Sequence, residues 1–191
     1  MTRKLILASG SPRRREFISF LGLDFTVVKP AVKEDQLPGE SPDALVARLS
    51  VMKSAAVSDQ YPEAVVLAAD TVVSIDGQIL GKPHDRNDAL RMIKQLSGRT
   101  HQVYTAVTLR HKEKIKTLCT CTHVTFADIS DDLAVMYVNS GEGDDKAGSY
   151  ALQGRAAMFI ETVEGSVSSV IGLPLSETRE LLCTFGIIPN F

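Results

Sequence analysis

Four short stretches of this sequence hold residues whose chemistry exceeds what folding alone would ask of them. The first is Ser9-Gly10-Ser11-Pro12-Arg13-Arg14-Arg15. Ser11 is a natural N-cap and Pro12 a natural first helical residue. Three arginines in that opening turn oppose the helix dipole, at roughly 0.3–1 kcal/mol each. A bound anion removes the conflict, because free N–H groups at a helix start, the Ser9 and Ser11 hydroxyls, a flexible Gly10 and guanidiniums together hold a phosphate. The alternative is a solvated basic cluster that tolerates the penalty. Arg13 and Arg14 are stronger candidates than Arg15.

The second stretch is Val65-Val66-Leu67-Ala68-Ala69-Asp70. A carboxylate at the end of so apolar a strand is costly unless something pairs with it. Ligands of open α/β sheets bind beyond the carboxyl ends of strands, so Asp70 suits a metal ligand or a general base. The plainer reading is an aspartate capping a turn into Thr71. The third is Gly81-Lys82-Pro83, where a rigid backbone could offer a fixed charge to a phosphate. Lys53, one position after the apolar Met52, reads as a surface residue. The fourth is Asp144-Asp145-Lys146-Ala147-Gly148-Ser149-Tyr150, which with Glu34-Asp35 offers the carboxylates that hard divalent ions prefer. Acidic loops of this kind are also ordinary polar turns.

Short strands alternating with helices must position these residues, which predicts an α/β fold. Leu5 to Ala8 reads as a buried strand. A helix from Ser11 to about Leu21 turns Phe17, Phe20 and Leu21 inward and stops at Gly22. A second helix opens at Ser41-Pro42, with Leu45, Leu49, Met52 and Ala56 on its apolar face. Ala64 to Ala69 reads as a strand buried on both faces. Val72 to Ile75 and Gln78 to Leu80 flank Asp76-Gly77 as a hairpin. A helix from Asp88 to Leu96, strands at 103–109 and 115–126, and a helix from Ser130 to about Gly141 follow. A strand near Met158 to Val163 and a helix near Leu175 to Phe185 complete the pattern.

Composition excludes several classes. With 44% hydrophobic and 23% charged residues over 191 positions, the chain is globular and not disordered. A net charge of −2 gives no general field for nucleic acid, so any anion site must be local. Leu5 to Ala8 is too short for a signal peptide's apolar core, and no window reaches the roughly 20 apolar residues of a membrane span. Cys119, Cys121 and Cys183 form no disulfide framework, which favours free thiols and a cytoplasmic setting. Cys119 and Cys121 read as packing residues. Walker A, GxGxxG, GxSxG and HExxH patterns are absent.

Taken together, Leu7-Ala8-Ser9-Gly10-Ser11-Pro12-Arg13-Arg14, Ala69-Asp70-Thr71, Gly81-Lys82-Pro83, Leu96-Ser97-Gly98, Asp145-Lys146-Ala147-Gly148 and Gly172-Leu173-Pro174 resemble the Maf family in motif, order and spacing. The resemblance spans residues 5 to about 185 and implies a single domain over 1–191. It implies an elongated mixed sheet flanked by helices, in two lobes around a cleft and related to the inosine triphosphatase fold. It implies a nucleoside triphosphate pyrophosphatase dependent on Mg²⁺ or Mn²⁺, commonly a dimer, with a nucleotide as its partner. In this resemblance Ser9, Arg14, Lys53 and Lys82 match triphosphate contacts, Glu34 an acid near the metal, and Asp70 the general base; Asp145 is a further candidate ligand. Arg13, Thr71 and Gln153 resemble the branch active on dTTP and UTP. Gln153 offers a donor and an acceptor that suit the O4 and N3–H edge of uracil or thymine. Lys33 before Glu34 departs from the family pattern. A house-cleaning pyrophosphatase for modified nucleotides and a nucleotide- or nucleic-acid-binding regulator of septum formation are the competing expectations.

Overall fold

The computed structural model describes residues 4–190. Its element order is β1 (Leu5–Ala8), α1 (Pro12–Ser19), β2 (Phe25–Val27), α2 (Pro42–Ser58), β3 (Val65–Ile75), β4 (Gln78–Leu80), α3 (Arg86–Leu96), β5 (Thr100–His111), β6 (Lys114–Phe126), α4 (Asp131–Asn139), β7 (Ile160–Glu164), α5 (Val167–Ile171) and α6 (Leu175–Thr184). The sheet runs in the order β2-β1-β3-β5-β6-β7, with β4 paired to β3. It is mixed: β1 lies parallel to both β2 and β3, whereas β3–β4 and β6–β7 are antiparallel. Among the described residues no helix is long and apolar enough to cross a membrane.

The chain forms two compact units. The first comprises Met1–Asp70, Thr105–Thr120 and Gly172–Phe191; the second comprises Thr71–Tyr104 and Cys121–Ile171. In the first unit Ile6, Ala8, Val66 and Ala68 of the parallel strands pack with Val57 of α2. Strands buried on both faces read as continuous apolar runs, which is why β1 and the first half of β3 carry almost no polar residue. α2 can lie close because three of its buried residues, Ser50, Ser54 and Ser58, are small and one turn apart. The Ser50 hydroxyl bonds that of Thr108 on β5 at 2.8 Å.

The second unit is built around Val73, Leu80, Met92, Ile93, Leu96, Val124, Phe126 and Phe159. Asp76 and Gly77, at φ 52° and 76°, make the two-residue turn expected between β3 and β4. Its most unusual core member is His101 of β5. The imidazole bonds the Tyr150 hydroxyl at 2.8 Å through Nε2 and stands edge-on to Phe126 at 5.0 Å, while its Nδ1 is buried without a partner.

Burial pushes the His101 pKa down from the usual 6.5 to about 4, so the fold holds the ring neutral. Its folded pKa lies below the unfolded one. The stabilisation is therefore complete above pH 6.5 and drains away as pH falls toward 4, by about 3 kcal/mol in all. His101→Gln is expected to flatten the loss of stability across that window in urea titrations. A slope equal to the wild type would show that His101 is not held neutral.

The structure departs from the sequence reading at several places. α1 ends at Ser19, one residue too early to turn Phe20 inward, and Phe20 is 57% exposed. Ile18, not anticipated, is buried in its place. The buried face of α2 is rotated: Lys53 and Val57 are buried, whereas Met52 and Ala56 are only partly so. Asp70 does not end a strand, since β3 continues through it to Ile75. Cys119 and Cys121 are exposed and are not packing residues, because β6 turns Thr122, Val124 and Phe126 inward and its odd positions outward. A 3₁₀ turn, Arg155–Phe159, precedes β7 where strand had been read from Met158.

Candidate active site

In the first unit the site begins at the turn between β1 and α1. Ser11 caps α1, its hydroxyl accepting from the Arg14 N–H at 3.5 Å, and the Ser11 N–H donates to Ser9 Oγ at 3.1 Å. Serine side chains thus take up N–H groups that the helix cannot satisfy itself. The first turn contains no acid and Pro12 leads it, as read from sequence. The Arg14 side chain folds back over this turn. Its Nε donates to the Gly172 carbonyl at 2.7 Å and its Nη1 reaches Ser9 Oγ at 3.5 Å. Burial lowers the Arg14 pKa, while the charges of Asp70 and Glu34 hold it up. Arg13 is half-buried, and its Nε lies buried without an acceptor.

The second group is centred on Lys53. Projecting from α2, its ammonium lies 2.5 Å from Asp70 Oδ1 and 3.0 Å from Glu34 Oε1. The Lys53 and Asp70 side chains are each only 8% exposed, whereas that of Glu34 is 53% exposed. Asp70 is held by a strand, Lys53 by a helix and Glu34 by a loop, so three elements converge on one cation. Burial raises the Asp70 pKa above the ordinary carboxylate range, opposed by the charges of Lys53 and Arg14. The Glu34 loop has its own anchor. Arg48 grips the Glu40 carboxylate with bonds of 2.6 and 2.7 Å and donates to the Asp35 carbonyl at 2.9 Å. Such a two-pronged pair fixes geometry as well as charge.

In the second unit the candidates lie on neighbouring loops. The Gly148 N–H donates to the Gly81 carbonyl at 3.0 Å, tying the Asp145–Ser149 segment to Gly81-Lys82-Pro83. Gly148 must be glycine: its φ is +67°, and a Cβ there would stand 2.9 Å from Val73 Cγ2. Lys82 is exposed, and Asp145 pairs with Lys146. Gln153 is exposed in a turn that leads into the 3₁₀ segment, and Thr71 is half-buried on β3. Among the described residues no three His, Cys, Asp or Glu side chains are grouped to hold a metal ion. Asp70 and Glu34 are joined through Lys53 instead.

Residues 4–185, which carry this buried acid–lysine pair and the serine- and arginine-lined helix start, match the profile of the Maf-like protein family. The chain belongs to the Maf family. It is 42% identical over 187 residues to a dTTP/UTP pyrophosphatase of Bacillus velezensis, covering 98% of this chain and 99% of that one. It is 48% identical over 185 residues to a dTTP/UTP pyrophosphatase of Myxococcus xanthus, covering 96% and 93%. Among solved structures it shares its fold with a HAM1 protein from Coxiella burnetii, at a TM-score of 0.55 and 14% identity over 96% of this chain and 100% of that one.

Several residues of this Maf protein that shape the site carry no sequence signal of their own. Gly172 is the exception: it belongs to the Gly172-Leu173-Pro174 motif, and its backbone, at φ 125°, presents its carbonyl to Arg14. Lys29 lays its methylenes over Gly10, 3.5 Å from where a Cβ would stand, which adds a cation beside the β1–α1 turn. Arg48 and Glu40 look like any surface pair eight residues apart until the loop between them is seen. A hint for Lys29 lay in its position, two residues past β2, at the same end of the parallel strands as Ser9.

Proposed function

We propose that this Maf protein hydrolyses nucleoside triphosphates, dTTP and UTP foremost, to the monophosphate and pyrophosphate within a single pyrophosphatase domain. The observation that carries the reading is the buried Asp70 bonded to Lys53, with Glu34 on the same ammonium and Arg14 in electrostatic reach. A simple phosphate binder gains nothing from carboxylates in an anion site, because they repel the ligand. Two acids and two bases leave this group neutral before substrate arrives. A triphosphate therefore needs further positive charge, which Arg13, Lys82 and a divalent ion supply.

The donor chemistry fits Mg²⁺ or Mn²⁺. Asp70 and Glu34 present hard carboxylate oxygens gathered on one ammonium, and Asp145 is the third candidate donor. Phosphate oxygens and water would have to complete the shell. A bound divalent ion would neutralise phosphate charge and lower the pKa of a coordinated water.

The chain's own residues divide the remaining work. The start of α1, Ser9, Arg14 and Lys82 hold the phosphates. Lys53 fixes the Asp70 carboxylate, which takes a proton from the attacking water. The new bond forms between that water's oxygen and the α-phosphorus. The bond from the α-phosphorus to the bridging oxygen breaks, and pyrophosphate leaves with the electron pair, its growing charge met by the same cations. Thr71, Arg13 and Gln153 select the base, Gln153 through an amide that both donates and accepts.

The test is turnover of each nucleoside and deoxynucleoside triphosphate and of 7-methyl-GTP, with phosphate read with and without added inorganic pyrophosphatase. Phosphate that appears only with the added enzyme, and most strongly with dTTP and UTP, is the expected result. Direct release of orthophosphate would overturn the position of attack. A preference for 7-methyl-GTP would overturn the base selection.

A further inference from the structure

Glu142 follows α4 in an acid-rich segment and invites a metal-ligand reading, yet both of its oxygens are already engaged. One accepts from the Arg155 N–H at 2.8 Å, the other from the Ala156 N–H at 3.2 Å. These are the first two N–H groups of the 3₁₀ turn Arg155–Phe159, which its own helical bonds leave unsatisfied. A carboxylate is the strongest acceptor available for such a pair. The neighbouring backbone is shaped to admit it. Gly154 brings its bare α-carbon against the carboxylate, and a Cβ there would stand 2.5 Å from the Glu142 Cδ and Oε1.

Gln153 is the residue before Gly154. Its side chain is exposed, so its direction depends on how the backbone on either side is held. On the N-terminal side, buried Tyr150 bonds His101 and stacks edge-on with Phe126 at 4.9 Å. On the C-terminal side the hold is Glu142. Arg155 lies 13 positions after Glu142, so this contact closes the loop between them.

We propose that Glu142 is a positioning residue for base selection: its carboxylate, clamped on the Arg155 and Ala156 N–H groups across Gly154, aims Gln153 at the nucleotide base. The proposal rests on the reading of Gln153 as the base-selecting amide. Glu142 touches no substrate. Its loss alters discrimination among bases and leaves the handling of the phosphates intact.

The experiment measures kcat and KM for UTP, CTP, ATP and GTP in wild type, Glu142→Gln, Gly154→Ala, Gln153→Ala and the Glu142→Gln/Gln153→Ala double variant, with melting temperatures alongside. Glu142→Gln keeps the shape but replaces one acceptor oxygen by an amide NH₂ that cannot accept. Gly154→Ala attacks the same contact from the other side. Each is expected to lower the kcat/KM preference for UTP by about tenfold, mainly through a raised KM for UTP, with kcat little changed. The double variant is expected to be no less selective than Gln153→Ala alone, because the two residues act through one contact. A uniform loss across all four nucleotides would reduce Glu142 to a structural role and overturn the proposal. If Gln153→Ala lowers the preference while Glu142→Gln and Gly154→Ala do not, the proposal also fails. If Gln153→Ala itself leaves the preference unchanged, it is the reading of Gln153 that falls. Should Glu142→Gln not fold, the preference is read on Gly154→Ala.

Discussion

Asp70→Asn is expected to lower kcat for UTP by about 10³-fold while leaving the protein folded, since a general base contributes roughly 10² to 10⁴. Asparagine matches aspartate in size and still accepts a hydrogen bond from Lys53, so the packing around the residue at 6% exposure survives. What disappears is the ability to take a proton. The change has a stability cost, because it leaves the buried Lys53 ammonium with Glu34 as its remaining carboxylate, but burial disfavours the Asp70 charge and so limits that cost. The expected pattern is therefore unequal in its two readouts: activity collapses, while the melting temperature falls by only a few degrees. Steady-state turnover and thermal unfolding of the same preparation check it. Retention of more than a tenth of the wild-type kcat would remove Asp70 from the role of base.

Lys53→Met is expected to cost more stability, because it removes the cation that two carboxylates share. It strips the cation from a buried carboxylate and leaves Asp70 under the repulsion of Glu34, with the charge of Arg14 in support. Breaking a buried pair from one side costs about 3 kcal/mol. Asp70 can escape part of that cost by taking up a proton. Its folded pKa, already raised by burial, then rises further above the unfolded value. A carboxyl group raised in this way binds its proton more tightly when folded than when unfolded, so the variant's stability falls as pH rises and recovers as pH is lowered. Urea unfolding at pH 8 and pH 5 should show the deficit shrinking at the lower pH. A deficit that is constant between them would mean that Asp70 is not the group left stranded.

These two residues also show what a sequence can and cannot disclose. The apolar run before Asp70 announces a carboxylate under stress, and the residue's importance is legible from that alone. Its partner is not. Lys53 lies 17 positions away, on the buried face of a helix that it shares with Leu49 and Val57. The reading of α2 went astray because Ser50, Ser54 and Ser58 are buried without being apolar. A lysine at the end of a long aliphatic stem can share that face, with only its ammonium needing a polar partner. The turn at Asp76-Gly77 and the caps at Ser11 and Ser130 were readable because each depends on a few adjacent residues. The outward direction of Cys119 and Cys121 was missed, although counting alternate positions back from Phe126 and Val124 gives it. Glu142 offered no such purchase, since an acid among acids gives no sign that it faces two N–H groups from beyond the next loop.

The bond from Arg14 to the Gly172 carbonyl joins positions 158 residues apart. A chain emerging from the ribosome releases its strands β1 to β3, and with them the serine-lined turn, long before residue 172 exists outside the tunnel. Domains form as units during synthesis, at roughly 5–20 residues per second. For most of that time Arg14 lacks the Gly172 carbonyl that holds its Nε. The growing chain thus passes through a long stage with this arginine not yet anchored, and a stretch made 158 residues later supplies the anchor.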